Sequence, residues 1–355
     1  MENLKSLGWD DSYEDKIDST DKNRFDIARV IAEHKNSFIV KNDNYERRAV
    51  ISGHFFHNTQ KRSDMPVVGD WVLVNKDTPS VIQKIIPRRT CLIRKSPNDR
   101  KSIGKNSENE QALASNVDIV FIVTSLNQNF NLSRIERALV LIYGSGATPV
   151  ILLSKSDLCE TDINEKIRLV EGISFGVPII SFSNVSGLGI DEIKNFLTPG
   201  KTACLLGSSG VGKTSLINIL CDKDEKTSEI RERDGTGRHA TTGRSIYFME
   251  NGGIIIDTPG IREIGFLDNC NDLEKSYEDI EQLALSCKFN NCRHQTEPGC
   301  AIRAAIENGT LDERRFRNYL KIQKEISFYD DKETAMKNKH EKNKQIAKMI
   351  RKMDL

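Results

Sequence analysis

Apolar positions along the 355-residue chain change character three times. From Asp21 to Lys95 they come in short β-rich runs: Ile27-Ala-Arg-Val-Ile31, Ser37-Phe-Ile-Val40, Arg48-Ala-Val-Ile51, Trp71-Val-Leu-Val74 and Val81-Ile-Gln-Lys-Ile-Ile86. Five such runs between polar turns predict a small β-barrel of the OB type. A polar stretch from Ser96 to Gln111 with almost no apolar residue reads as a linker or loop. Beyond it come apolar runs that read as buried strands, Asp118-Ile-Val-Phe-Ile-Val-Thr124, Thr148-Pro-Val-Ile-Leu-Leu153, Val177-Pro-Ile-Ile180, Thr202-Ala-Cys-Leu-Leu206 and Gly253-Ile-Ile-Ile256. These are patterns of strands buried on both faces. Helical periodicity lies among them at Leu132 to Tyr143 and Ser215 to Leu220, so an α/β domain is expected. Leu311 to Tyr329 and Asp331 to Met353 read as further helices, the second rich in lysine. The expected domains are 1–95 (N-terminal segment and barrel), 96–115 (linker), 116–268 (α/β domain) and 269–355 (C-terminal helical domain).

Chemistry enters at the strand ends. Gly207-Ser208-Ser209-Gly210-Val211-Gly212-Lys213-Thr214, followed by Ser215, stands between a strand and a helix. Its glycines let backbone N–H groups close on phosphate, its lysine neutralises the outer phosphates and its threonine hydroxyl can hold Mg²⁺. Asp257-Thr-Pro-Gly260 follows a buried strand, with Asp257 suited to reach Mg²⁺ through water and Gly260 to sense a γ-phosphate. The polar stretch around Thr241 and Thr242 has the place and chemistry of a switch loop completing the Mg²⁺ shell. Base selection is expected from Ser154-Lys155-Ser156-Asp157, where the lysine stem covers a base and the carboxylate accepts two N–H bonds that guanine can give and adenine cannot. Ser183 and Asn184 stand where a second base-reading loop belongs. Ser154 replaces the usual Asn and Asn184 a common Ala, two departures that weaken the match. The base motif precedes the phosphate loop, the reverse of the usual order. Loops at the carboxyl ends of parallel strands converge whatever the order of synthesis, so the pattern describes a circularly permuted P-loop GTPase domain.

Cysteine supplies a second signal. Cys287-x₄-Cys292-x-His294-x₅-Cys300 is a Cys₃His set suited to one tetrahedral, structural Zn²⁺. The other five cysteines read as small core residues. A net charge of +1 makes no global case for nucleic acid, so any such case is local. Lys61, Arg62, Arg88, Arg89, Arg94 and Lys95 are candidates to track RNA phosphates, and His54, Phe55, Phe56 and His57 to stack on bases. No apolar run reaches about 18 residues and the N-terminus is polar, so a cytoplasmic chain without a membrane segment is expected.

In its permuted motif order, in Pro66-Val-Val-Gly-Asp-Trp71 and Asn116-Val-Asp118, in Asp257-Thr-Pro-Gly260 and in the cysteines near residue 300, the chain resembles the RsgA (YjeQ) family of ribosome-small-subunit-dependent GTPases. The resemblance implies an OB-type barrel, a permuted GTPase domain and a zinc-binding helical domain. It implies GTP and GDP with magnesium as ligands, and the small ribosomal subunit and its rRNA as partners in late assembly. A monomer is expected. Ile261 stands where many GTPases carry the water-orienting glutamine, and the resemblance puts His239 in the family's switch-histidine place as the catalytic candidate. Two other classes stay open on the residues alone: a P-loop kinase of a small substrate, and a non-hydrolysing RNA-binding scaffold.

Overall fold

Five strands near the N-terminus, β1 (Phe25–His34), β2 (Ser37–Lys41), β3 (Glu46–Ile51), β4 (Trp71–Asn75) and β5 (Ser80–Ile85), pair in the order β1-β2-β3-β5-β4, and β4 returns to β1. All pairings are antiparallel except β3 with β5. The circuit closes the sheet into a barrel, which removes its edges. Alternate residues point inward: Ala28 and Val30, Phe38 and Val40, Val72 and Val74 share one core with Ala49 and Ile82. The expected barrel of five runs is therefore present. Trp71 and Leu73, on the other face of β4, are buried under Leu4, Leu7, Trp9, Tyr13 and Ile17 of the N-terminal segment.

This computed structural model describes residues 2–34, 37–59, 61–95, 110–127, 130–223, 244–257 and 270–327. The chain divides into two compact units, residues 1–94 with 110–264, and 95–109 with 265–355.

In the first unit, β6 (Cys91–Lys95) and β7 (Glu110–Ser115) form a two-stranded sheet on either side of the polar stretch. Then come β8 (Ile119–Ser125), β9 (Thr148–Ser154), β10 (Ile179–Ser181), β11 (Thr202–Leu206), β12 (Ser245–Phe248) and β13 (Ile254–Asp257), ordered β10-β9-β8-β11-β13-β12. Pairings are parallel throughout except for β12 against β13. Odd and even residues feed two separate cores. Val120, Ile122, Ile151, Leu153, Cys204 and Ile256 pack with Ile135, Leu139 and Ile142 of the helix Leu132–Ser145. Phe121, Val123, Val150, Leu152, Leu205 and Ile255 pack with Ile193 of Ile190–Asn195 and Leu216 and Leu220 of Lys213–Cys221. Helical cover on both faces explains why these strands read as continuous apolar runs.

Barrel and nucleotide sheet are joined through β1. Ala32 pairs with Ser245 of β12, Glu33 N–H donates to Arg244 O at 3.1 Å, and the Arg244 guanidinium donates to Glu33 Oε2 at 2.7 Å. Arg29, also on β1, is 1% exposed and donates to Leu7 O, to Gly69 O and Asn116 O at 3.4 Å each, and to Thr202 Oγ1 at 3.0 Å, lying 5.5 Å from the Trp71 ring centre. Burial lowers its pKa to about 10, leaving it charged at neutral pH. Four distant segments thus converge on one cation.

The second unit is helical: Cys270–Ser276, Glu278–Leu285, Ala301–Glu307 and residues 313–327. Tyr277, Ile280, Ile302, Ala305, Leu311, Phe316, Tyr319, Ile322 and Ile326 are buried. Arg315 holds Asp279 through two bonds of 2.9 and 2.7 Å, donates to Ser276 O at 3.0 Å and lies over the Tyr277 ring. The expected helix from Asp331 to Met353 lies outside the described residues.

Candidate nucleotide site and metal centre

The phosphate loop leaves β11 where Gly207 has no room for a side chain: a Cβ there would sit 2.3 Å from Val123 O of β8. Gly210 and Gly212 take φ of +79° and +95°, which only glycine adopts without strain. Gly212 then caps the helix Lys213–Cys221 with no side-chain bond to the first N–H groups, which leaves donors free at a helix N-terminus. Lys213 Nζ donates to Gly207 O at 2.7 Å and Ser208 O at 2.8 Å, closing the loop on itself. Burial pushes the Lys213 pKa below its ordinary value, and the Asp257 carboxylate pulls the other way. An anion arriving here adds negative charge beside the ammonium, to that of Asp257. Asp257 is buried at the end of β13, and Thr214 is the second residue of the helix.

The base-reading loops leave the adjacent strands. Ser154 is fully buried at the end of β9, and its hydroxyl donates to Val211 O at 2.7 Å, with Thr124 O at 3.3 Å. Lys155 takes the left-handed conformation at φ +59°, turning the chain so that Ser156 N–H meets Phe182 O at 3.2 Å and Asp157 is exposed. In the next loop the buried Ser183 Oγ accepts from Val185 and Ser186 N–H at 3.1 and 3.2 Å, and Asn184 Nδ2 donates to Gly212 O at 3.1 Å. The structure thus brings the base-motif strand end and the second base loop onto the phosphate loop, as the parallel topology requires. Thr241, Thr242, Gly260 and His239 lie outside the described residues.

The candidate RNA-tracking residues fare differently. Arg88 is committed internally, paired with buried Asp70 at 2.7 and 2.8 Å and bonded to Ser63 O and Met65 O. Arg89 is held by Asp10 and Asp118 beside the Tyr13 ring. Their basic character alone gave no sign of these partners. Phe56, on the short helix Gly53–Asn58, is 58% exposed and keeps its ring available.

In the second unit the ligand atoms of Cys287, Cys292, His294 and Cys300 all lie within 4.8 Å of one another. His294 Nδ1 stands 3.6 Å from Cys287 Sγ and 3.5 Å from Cys300 Sγ. A tetrahedron with standard zinc–sulfur and zinc–nitrogen bonds has S···N edges of about 3.6 Å, so the residues fit the ion. All four positions are taken by protein, which makes the ion structural. The loop between His294 and Cys300 is folded by Glu297, whose carboxylate accepts N–H bonds from Arg293, Gln295 and Thr296 at 3.0, 2.9 and 3.0 Å. Those bonds, with its own N–H, hold its pKa at about 2.

Comparison with known proteins gives this arrangement its context. The RsgA GTPase family model matches residues 85–267. A protein of Vibrio parahaemolyticus described as small ribosomal subunit biogenesis GTPase RsgA 2 is 40% identical over 92% of this chain and 86% of its own. The chain belongs to the RsgA GTPase family. A similarly described RsgA protein of Listeria monocytogenes is 40% identical over 98% of this chain and 97% of its own, and a 50S ribosome-binding GTPase model matches residues 202–351. Among solved structures the chain is similar to YjeQ from Thermotoga maritima, at TM-score 0.60 and 27% identity, covering 84% of this chain and 98% of that one. YloQ, described as a circularly permuted GTPase, matches at TM-score 0.56 and 24% identity over 86% of this chain and 96% of that one, a likeness of fold. Membership in the RsgA family makes the chain a GTP-hydrolysing enzyme and sets aside the kinase and scaffold alternatives. No helix among the described residues is long and apolar enough to cross a membrane.

Proposed function

We propose that this GTPase acts on the small ribosomal subunit, hydrolysing GTP while docked on it in the cytoplasm and thereby timing a late step of assembly and its own release. The observation that carries the reading is the convergence of the β9, β10 and β11 loops at one end of the parallel sheet, in a chain 40% identical to small-subunit biogenesis GTPases. Asp157 and Lys155 read guanine, with Ser154, Ser156, Ser183 and Asn184 framing the base side. The backbone from Gly207 to Ser215, with Lys213, receives the phosphates. Magnesium, when bound, neutralises phosphate charge; Thr214 and Asp257, with Thr241 and Thr242, are the residues to hold it. Gly260 senses the γ-phosphate, and His239 orders the attacking water where Ile261 cannot. The barrel and the zinc-bearing unit supply the rRNA contacts, and the chain works as a monomer.

Purified small subunits are expected to raise the GTP turnover rate of the full chain by at least tenfold, and large subunits to leave it unchanged. Equal stimulation by both, or by neither, would falsify the proposal. His239→Ala is expected to keep GDP affinity and lose the stimulated turnover; full stimulation in that variant would remove His239 from the mechanism and leave docking intact.

A further inference from the structure

Ser154 and Asn184 each depart from the usual motif. We propose that they form one clamp: the Ser154 hydroxyl and the Asn184 amide hold the Val211 and Gly212 carbonyls of the phosphate loop, making Asn184 a positioning residue for the nucleotide's phosphates. This rests on the nucleotide assignment above.

A backbone cradle attracts anions only if its N–H groups face inward and its carbonyls face elsewhere. Two successive carbonyls of the loop meet donors from two other loops. Val211 O receives Ser154 Oγ at 2.7 Å, and Gly212 O receives Asn184 Nδ2 at 3.1 Å in addition to the first helical bond from Leu216 N at 2.9 Å. Serine is shorter than asparagine and has one hydroxyl proton, so Ser154 serves one carbonyl. Asn184 supplies the second donor, from another loop, where an alanine would supply none. The fit at Gly212 is close: a Cβ built there would lie 2.8 Å from Asn184 Nδ2. Asn184 Oδ1 is buried without a protein partner, so only the donor end of this amide is engaged, and it is engaged on the loop. The clamp touches backbone that holds phosphates, whereas base choice belongs to Asp157. Its removal therefore weakens every nucleoside diphosphate alike.

The test is competition binding of GDP and ADP to the zinc-loaded full chain. Asn184→Ala and the shape-filling Asn184→Leu are expected to weaken both ligands about tenfold, the scale of one such hydrogen bond. The GDP-to-ADP ratio should be kept, and Asn184→Gln, which retains the amide, should recover most of the loss. Asp157→Ala should collapse the ratio. Wild-type GDP affinity in Asn184→Leu would overturn the clamp, as would a ratio that changes in Asn184→Ala with ADP affinity untouched, since Asn184 would then be a base reader. A wild-type chain with no preference for GDP, or an Asp157→Ala chain that keeps it, would instead overturn the nucleotide assignment on which the clamp depends.

Discussion

The phosphate loop and the zinc knuckle are both polar loops rich in turns, yet they are held by opposite means. Under the first lie two apolar cores, one on each face of a parallel sheet, and its key contacts are backbone groups. In the knuckle Cys287, Cys292 and His294 are only half-buried, and its order comes from four ligand side chains and the Glu297 carboxylate. Where a core carries the loop, functional residues can change without loss of fold. Where ligands carry it, function and fold cannot be separated.

Chelation tests that contrast most severely. Binding of a structural zinc is worth roughly 10–16 kcal/mol in small zinc domains, so stripping the ion should abolish hydrogen-exchange protection across 287–300 while GDP affinity stays within about twofold. A knuckle still protected without metal would erase the distinction. The first unit has its own polar dependence at Arg29, which sharpens the comparison. Arg29→Met should strand the Leu7 and Asn116 carbonyls, while Gly69 O keeps its bond from Asn116 Nδ2 at 3.1 Å, and should cost about 2–6 kcal/mol at roughly 1–3 per orphaned group, read as a lower urea midpoint. A loss below about 1 kcal/mol would mean that the sheet cores alone set the stability of this unit. Smallest in stability, and largest in function, is Lys213→Ala. It should lower GDP affinity about a hundredfold, on the scale of charge-assisted bonds, with a melting temperature close to that of the parent, since a partly buried ammonium is removed while the Gly207 and Ser208 carbonyls lose its hydrogen bonds. A lower melting temperature would show that the loop supports the fold after all.

Much of this was legible in the chain because burial on one face or two leaves different signatures. Five short runs set between polar turns in β1 to β5, against unbroken apolar runs in β8, β9 and β11 that are punctuated by helical periodicity, separate barrel from parallel sheet. The knuckle was legible for a different reason: metal ligands are side chains, and their identities are the site. What escaped was every contact whose partner is a carbonyl. Arg29 reads as an ordinary strand arginine, since the oxygens of Leu7, Gly69 and Asn116 leave no trace in residue type. Ser154 and Asn184 read only as departures from the motif for the same reason. Arg88 and Arg89 read as surface charge, although Asp70, Asp10 and Asp118 were in plain view; no spacing rule pairs residues that far apart in sequence.

Strand β1 runs from the barrel core to the edge of the nucleotide sheet, and at that edge it grips Arg244, two positions beyond Thr242. A strand shared between barrel and sheet carries a displacement of one into the other. Thermodynamic reciprocity applies to such an anchor: an RNA that shifts β1 on binding the barrel changes the affinity for GTP by the factor by which GTP changes the affinity for that RNA. The ion pair of Glu33 with Arg244 is thus where a displacement of the barrel strand would reach the edge of the nucleotide sheet.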